Sequence, residues 1–512
     1  MIARVRSAAL IGLESELVDV ECDAGFGQAL FIIVGLPDTS VQESRERVRA
    51  AFRNSDIPFP RGRVTVNLAP ADIKKEGPSY DIPIALSIVM AHEDLGKTIS
   101  SYTREELSHS IFLGELALDG SVRPVRGVLA STWSAQQKGI TSVYVPMANA
   151  TEASLVKDIT IYPIRDLKTL LLHIQGYISL DAFVREPSVS APHAVYITDM
   201  SHVHGQSHAK RALEIAAAGG HNVLLSGSPG SGKTMLARAL PSILPSMTED
   251  EMFDVTRLYS VAGLVSTDAP LIAQRPFRSP HHSSSVPSMV GGGGVPRPGE
   301  ISLAHRGVLF MDEFPEFPRS VLESLRQPLE DGIVTVSRAI GSVTFPARCM
   351  LVAAQNPCPC GHYGESTVPC TCTMGMIMKY QKKISGPLLD RIDLFVQVPK
   401  VSTSELQADN ASEESSVIRQ RVQRARSRQE ERYKDKGIIT NAELTSDMVR
   451  TAIHLSPDVK ALLEKATDQF QLSARSYYRI IKLAQTIADL QEAEIIDISH
   501  VAESLQYRKV NV

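Results

Sequence analysis

The chain has 512 residues, 43% of them hydrophobic and 21% charged, with a formal net charge of −4. That length predicts roughly three domains, and the balance excludes a wholly disordered chain and a globally basic nucleic-acid binder, while leaving room for a local basic groove. No apolar run reaches the roughly 18 residues of a membrane span, and six cysteines do not make a disulfide framework in a chain this long, so a cytoplasmic, reducing setting is expected.

Residues 1–183 carry no nucleotide motif and read as an α+β domain. The start, residues 1–13, holds Arg4, Arg6 and a short apolar stretch, with Glu14 and Glu16 directly after. That pattern reads as a strand rather than a cleaved leader. Residues 29–35 read as a strand running into a turn. Residues 63–68 alternate polar and β-branched side chains, and 142–146 is a third strand. Helices are expected over 40–54 and 81–91.

Two patches in this region resemble the proteolytic domain of Lon. One is Glu76-Gly77-Pro78-Ser79-Tyr80-Asp81, and the other runs from Gly114-Glu115-Leu116 to Val122-Arg123-Pro124-Val125-Arg126-Gly127. The resemblance puts a nucleophilic serine near Ser79. The position of its partner lysine holds Ser131 instead, and no lysine lies between Lys97 and Lys138. A hydroxyl nucleophile needs a nearby base, so the domain is expected to be inactive as a protease and kept for assembly or DNA contact.

Residues 184–198, rich in Pro, Ser and Ala, read as a linker. A nucleotide-binding block is expected over 199–398. It opens with Val203-His204-Gly205-Gln206; a similar V-x-G-Q stretch packs on the adenine in AAA+ proteins, the alternative being an ordinary helix start. Gly227-Ser228-Pro229-Gly230-Ser231-Gly232-Lys233-Thr234 then fits G-x-x-x-x-G-K-[ST]. The apolar run 222–226 before it reads as a buried strand, and 235–240 after it as a helix ended by Pro241. Such a loop turns backbone N–H groups around phosphates, with Lys233 on the β/γ-phosphates of ATP and the Thr234 hydroxyl on Mg²⁺.

Further along, His281-His282 has no neighbouring carboxylate or cysteine in sequence to complete a metal set. Gly291 to Gly294 reads as a loop, either one that moves against a substrate or a plain surface connection. The run 307–311 ends in Asp312 and Glu313, which fits a strand delivering an Mg²⁺-holding acid and a general base. Strands at 333–338 and 342–345 read as a hairpin, and 350–356 as a buried strand placing Asn356 beside the hydrolytic water. Cys358, Cys360, Cys370 and Cys372, in a loop over 357–373, could wrap a structural Zn²⁺ or stand as four free thiols. Arg391 reads either as an arginine finger for a neighbour's γ-phosphate or as a pair with Asp390 or Asp393.

Residues 399–512 begin with a polar, acidic connection (404–416) and continue as helices. Arg419, Arg421, Arg424, Arg426 and Arg428 share an amphipathic helix, which either contacts a phosphate backbone or presents a solvated face. Arg475 opens a helix running to Leu490, and Asp497 caps the last one.

The block 199–398 resembles the magnesium-chelatase ATPase subunits, and the whole chain resembles the ComM/YifB family. The motifs carrying this are Gly205-Gln206 with the run 209–222, the phosphate loop, Met311-Asp312-Glu313-Phe314, and Gly386-Pro387-Leu388-Leu389-Asp390-Arg391. The resemblance implies an α/β AAA+ P-loop ATPase core with a Lon-like α+β N-terminal domain and an α-helical C-terminal lid. It implies a hexameric ring that uses ATP and Mg²⁺ to act on single-stranded and branched DNA. The implied activity is a helicase driving branch migration while DNA is integrated in natural transformation. ATP would lie between subunits, with Lys233, Thr234, Asp312, Glu313, Asn356 and Arg475 from one and Arg391 from the next. Segments 291–294 and 330–345 would grip DNA in the pore. The rival readings are a chelatase-type motor, against which the C-x-C loop counts, a protein-remodelling ATPase or Lon-like peptidase, and a nucleotide-gated scaffold.

Overall fold

Alternating burial organises the front of the chain. In the computed structural model, which describes residues 2–185, 198–267, 269–293, 296–338, 341–365, 368–401 and 413–508, β1 (Ile2–Ile11), β2 (Glu14–Gly25), β3 (Leu30–Val34) and β4 (Arg63–Ala69) form one sheet in the order β1-β2-β4-β3. Val18, Val20 and Cys22 of β2 are buried while Asp19, Glu21 and Asp23 are not, the period-2 pattern of a strand with one face on a core. β3 and β4 run parallel and are joined by the helix Thr39–Asn54, as a parallel crossover requires. The helix Asp81–Ala91 is buried along its whole length. Its first residue, Asp81, takes a two-pronged bond from Arg47 at 2.7 and 3.0 Å.

A smaller parallel sheet, β5-β8-β9, follows, built of β5 (Ser110–Phe112), β8 (Ser142–Pro146) and β9 (Thr160–Ile164), with β6 (Glu115–Leu116) and β7 (Val122–Arg123) paired as a hairpin. The expected strands and helices of this region are present. The long strand β2 was not anticipated.

The second region is a five-stranded parallel sheet. Its strands are β10 (Val223–Ser226), β11 (Phe277–Arg278), β14 (Val308–Met311), β17 (Met350–Gln355) and β18 (Leu394–Gln397), in the order β11-β14-β17-β10-β18. Two antiparallel ribbons stand outside it: β12 (Gly291–Gly292) with β13 (Arg297–Pro298), and β15 (Ile333–Arg338) with β16 (Gly341–Pro346). Alternate residues of the sheet enter two cores. Val223, Leu225, Phe310 and Val352 face one, and Leu224, Leu309, Met311 and Leu351 face the other. A sheet buried on both faces explains why these strands read as unbroken apolar runs.

The front region docks on this block through the helix Glu249–Ala262. Arg257 lies over the Trp133 ring at 4.6 Å, Ser260 Oγ donates to the buried Glu152 carboxylate at 2.5 Å, and the Gly127 N–H reaches the Ser260 carbonyl at 3.0 Å. The turn between β1 and β2 meets the β15–β16 ribbon so closely that a Cβ on Gly12 would stand 2.4 Å from Val343. Phe345 is fully buried there, and the ribbon's far end is exposed at Ser337 and Ser342.

The C-terminal region is helical: Ser415–Tyr433, Ser446–Ala452, Pro457–Phe470, Ala474–Leu490 and Ile498–Gln506. Asp497 caps the last helix, accepting from the His500 N–H at 3.1 Å. The five-arginine helix departs from both sequence readings at four of its arginines, which are partly or fully buried and bonded within the molecule, while Arg424 stays on an exposed face. Arg421 bonds Glu214 and Glu413, Arg426 the carbonyls of Ala217 and Ala218, Arg428 those of Glu492 and Ala493. Arg419 reaches the Ser242 carbonyl and Arg424 pairs with Glu492. The helix sews the C-terminal region to the ATPase block. Most of the expected linker 184–198, most of the connection 404–416, Gly294, and Ala339-Ile340 lie outside the described residues.

Candidate nucleotide site

Parallel strands open their C-terminal ends to one edge, where open α/β sheets bind ligands. β10 runs into the loop 227–234, β14 delivers Asp312 and Glu313, and β17 delivers Asn356. Gly230 and Gly232 have φ of 75° and 91°, left-handed positions that suit glycine. Gly227 passes so near the strand end after β18 that a Cβ there would stand 2.2 Å from the Val398 carbonyl oxygen.

Lys233 is 8% exposed. Its Nζ donates to the Gly227 and Ser228 carbonyls at 2.7 and 2.9 Å and to Asn356 Oδ1 at 3.3 Å. Burial lowers its pKa, and the Asp312 carboxylate opposes that shift. An ammonium drawn from water and held by loop carbonyls is ready to exchange those weak acceptors for phosphate oxygens. Thr234 Oγ1 donates to Asp312 Oδ2 at 2.8 Å. This hydroxyl–carboxylate pair is a hard oxygen donor set of the kind Mg²⁺ takes. Gln206, at φ 56°, donates to the Ser231 and Pro399 carbonyls at 3.3 and 2.5 Å. With Gly205 at φ 61° before it, it ties the segment ahead of the first helix to the phosphate loop.

Glu313 has φ 49°, and its N–H bonds Asp312 Oδ1 at 2.9 Å. Its carboxylate is not alone: His282 Nδ1 lies 3.1 Å from Glu313 Oε2. The fold thus gives the paired histidines a carboxylate neighbour from 31 positions away along the chain, but among the described residues no set of three or more possible metal ligands forms there.

The structure separates Arg475 from the phosphate loop. Arg475 Nη2 donates to Glu330 Oε1 at 2.5 Å, and Arg391 bonds the other oxygen of the same carboxylate. Neither alternative partner of Arg391, Asp390 or Asp393, holds it. Asp393 instead accepts from the Asn222 N–H at 3.1 Å. Burial, then the nearby Arg475 and Arg326, lower the Arg391 pKa. Both arginines line a cavity of about 620 Å³ between the ATPase block and the C-terminal helices, to which no residue of the phosphate loop contributes. The structure thus does not bring Arg475, expected over its own subunit's nucleotide, to the phosphate loop.

The four cysteines come together, with their sulfurs all within 4.8 Å of one another. Cys358 lies 3.3 Å from Cys360 and 3.7 Å from Cys370, and Cys360 lies 3.6 Å from Cys370. This loop leans on the phosphate loop, since a Cβ on Gly361 would stand 2.5 Å from Pro229 Cδ. In the front region Ser79 lies in the turn Pro78–Tyr80, and Ser131 is buried on the helix Val128–Gln137. Among the described residues no basic side chain bonds the Ser79 hydroxyl; the buried Lys75 is spent on the Pro70 carbonyl.

Comparison with known proteins matches this layout along the whole chain. Residues 199–406 match the family model described as magnesium chelatase, subunit ChlI. Residues 18–149 match the one described as subunit ChlI of Mg-chelatase, and 412–508 match the ChlI C-terminal model. The competence protein ComM of Haemophilus influenzae is 43% identical over 518 residues, covering 99% of this chain and 97% of that protein. The chain belongs to the ComM/YifB family. YifB of Escherichia coli is 39% identical over 508 residues, 99% of this chain and 97% of that one. An uncharacterized protein of Mycobacterium tuberculosis is 42% identical over 509 residues, 99% of both. As a ComM/YifB protein the chain is a magnesium-chelatase-like AAA+ ATPase, a class that uses ATP and Mg²⁺ and commonly works as an oligomer. No helix among the described residues is long and apolar enough to cross a membrane.

The sequence of this ComM/YifB protein did not link His282 to Glu313 or Glu330 to Arg391 and Arg475. β11 is two residues long, too short to show a period that would have put His282 in register with Glu313. Glu330 stands 145 positions from Arg475, and no local pattern links them.

Proposed function

We propose that this protein is a ring-forming ATPase, with a hexamer as the expected ring, that moves on DNA and drives branch migration while DNA is integrated in natural transformation. The observation that carries the ring is the shared grip of Arg391 and Arg475 on Glu330, on a face that excludes the phosphate loop. Two arginines held apart from the site they are suited to serve point to the site of another subunit. In this reading Lys233, Thr234, Asp312, Glu313 and Asn356 come from one protomer, and Arg391 and Arg475 both come from the next. ATP lies in the phosphate loop. Thr234 and Asp312 would hold Mg²⁺, which would supply positive charge against the phosphates. Lys233 steadies the terminal phosphates, and Asn356 orients the water. Glu313 takes the water's proton, and the neighbour's arginines stabilise the charge on the transferring phosphoryl group. Gly205 and Gln206 form the adenine side of the site.

The DNA load is supported by the Haemophilus relative's name as a competence protein. The exposed end of the β15–β16 ribbon and the glycine ribbon at β12–β13 are the elements free to reach it. The front region keeps a Lon-like fold without the dyad and braces the β15–β16 ribbon. A structural Zn²⁺ on Cys358, Cys360, Cys370 and Cys372 fits the sulfur spacing. Zn–S bonds of about 2.3 Å in a tetrahedron put sulfurs about 3.8 Å apart.

The test is steady-state ATP hydrolysis with no DNA and with single-stranded, duplex and branched DNA, on the natural protein and on Lys233→Ala. The expected result is stimulation by DNA that weakens with salt, and loss of both hydrolysis and branch migration in Lys233→Ala. Hydrolysis indifferent to every DNA would favour a chelatase-type or protein-remodelling motor. Branch migration that survives in Lys233→Ala would overturn the motor reading.

A further inference from the structure

Glu330 stands on the helix Arg326–Asp331, directly ahead of the β15–β16 ribbon. A helix of six residues is too short to persist on its own bonds and depends on what it touches. Gly332, at a left-handed φ of 67°, closes it. The Gly332 N–H donates to the Pro328 carbonyl at 2.9 Å, and the Gly332 carbonyl accepts the Ala347 N–H, just past β16, at 2.8 Å. This root of the ribbon has no slack, since a Cβ on Gly332 would stand 2.7 Å from Arg348 Cγ. A shift of the helix therefore carries the ribbon with it.

On the outer side of the helix Glu330 meets two cations from separate elements. One carboxylate oxygen takes Arg391, which follows the turn Gly386–Leu389, and the other takes Arg475 of the helix Ala474–Leu490. Arg391 Nη1 donates to the Pro387 carbonyl at 2.6 Å, and its buried Nε has no partner among the described residues. A buried donor left unmade costs free energy, so Glu330 holds Arg391 incompletely. A terminal phosphoryl group offers three acceptor oxygens and more charge than a carboxylate, and arginine grips it through paired N–H bonds.

We infer that Glu330 is a positioning residue that latches the ribbon: its carboxylate holds Arg391 and Arg475 in place of a terminal phosphate, and surrender of both arginines to that phosphate frees the ribbon's root. Nucleotide occupancy is thereby passed to the ribbon through one side chain. That the phosphate belongs to a neighbouring subunit rests on the ring reading above, while the hold of Glu330 on the root does not.

The experiment measures amide hydrogen exchange on the full-length protein with Mg²⁺, with and without the non-hydrolysable analogue AMP-PNP, for the natural chain, Glu330→Gln and Arg391→Ala/Arg475→Ala. The Arg391, Glu330 and Arg475 side chains are 11%, 46% and 46% accessible, so the latch has the strength of partly exposed ion pairs. Without nucleotide, Glu330→Gln should speed exchange at the Gly332 and Ala347 amides about two- to five-fold, and the double variant should match it. The buried helix Asp81–Ala91 should exchange alike in all three, which separates release of the root from a damaged fold. AMP-PNP should bring the natural root to the Glu330→Gln level and add nothing in either variant. Unchanged nucleotide-free exchange in Glu330→Gln would overturn the inference, as would AMP-PNP rings of the natural protein whose root stays protected. If sedimentation shows that AMP-PNP assembles no ring, the ring reading falls and the nucleotide-free comparison still decides the hold of Glu330.

Discussion

His305 is buried among arginines, and its Nδ1 accepts the Arg348 backbone N–H at 3.1 Å, so the ring is neutral in the fold. Burial, then Arg306, Arg348, Arg275 and Arg257, pushes its pKa down to about 3. The unfolded chain takes up this proton below about pH 6.5 while the folded chain refuses it. Stability contributed by the neutral ring is therefore complete above that pH and declines as pH falls towards about 3. The loss is about 1.4 kcal/mol per pH unit, or roughly 2 kcal/mol at pH 5. Thermal unfolding at about pH 7 and pH 5 should show a lower midpoint in acid, and His305→Asn, whose carbonyl can still accept from Arg348, should narrow that gap. An undiminished gap would place the acid sensitivity elsewhere. At this scale the phosphate-loop residues were legible because glycines, lysine and threonine act through neighbours in sequence. His305, His282 and Glu330 were not, because their partners come from other strands and helices.

At the scale of elements, the cysteine loop is the clearest case of a motif whose geometry follows its spacing. Two C-x-C pairs suggested one metal, and the fold gathers all four sulfurs. Metal analysis of the purified protein should find one zinc per chain, and Cys358→Ser, which removes the most buried of the four ligands, should lose most of it. No zinc together with four freely reactive thiols would contradict the assignment. Because Gly361 of this loop presses on Pro229, loss of the metal should also weaken ATP binding. The arginine-rich helix Ser415–Tyr433 shows the opposite outcome. Its apolar stripe, Ile418, Val422 and Ala425, was readable and is buried, but most of its charges were misread because neither Glu214 nor the Ala217 and Ala218 carbonyls can be known as partners before the helices pack. Strand β2 carried a readable alternation. β11 carried none, and it is β11 that fixes the His282 register.

For the molecule as a whole, the claim that matters is that one protomer's phosphate loop is completed by both arginines of the next. The measurement that bears on it most directly is ATP hydrolysis by rings assembled from equal amounts of Lys233→Ala and Arg475→Ala protein, each inactive alone. If Arg475 serves a neighbour, an interface is whole wherever an Arg475→Ala loop faces a Lys233→Ala arginine. Random head-to-tail assembly makes that about one interface in four, so roughly a quarter of natural activity should return. The same recovery is expected when Arg391→Ala replaces Arg475→Ala. If Arg475 serves its own subunit's nucleotide, no interface in the first mixture is whole. Activity that returns with Arg391→Ala but not with Arg475→Ala would contradict the shared role that their common hold on Glu330 implies.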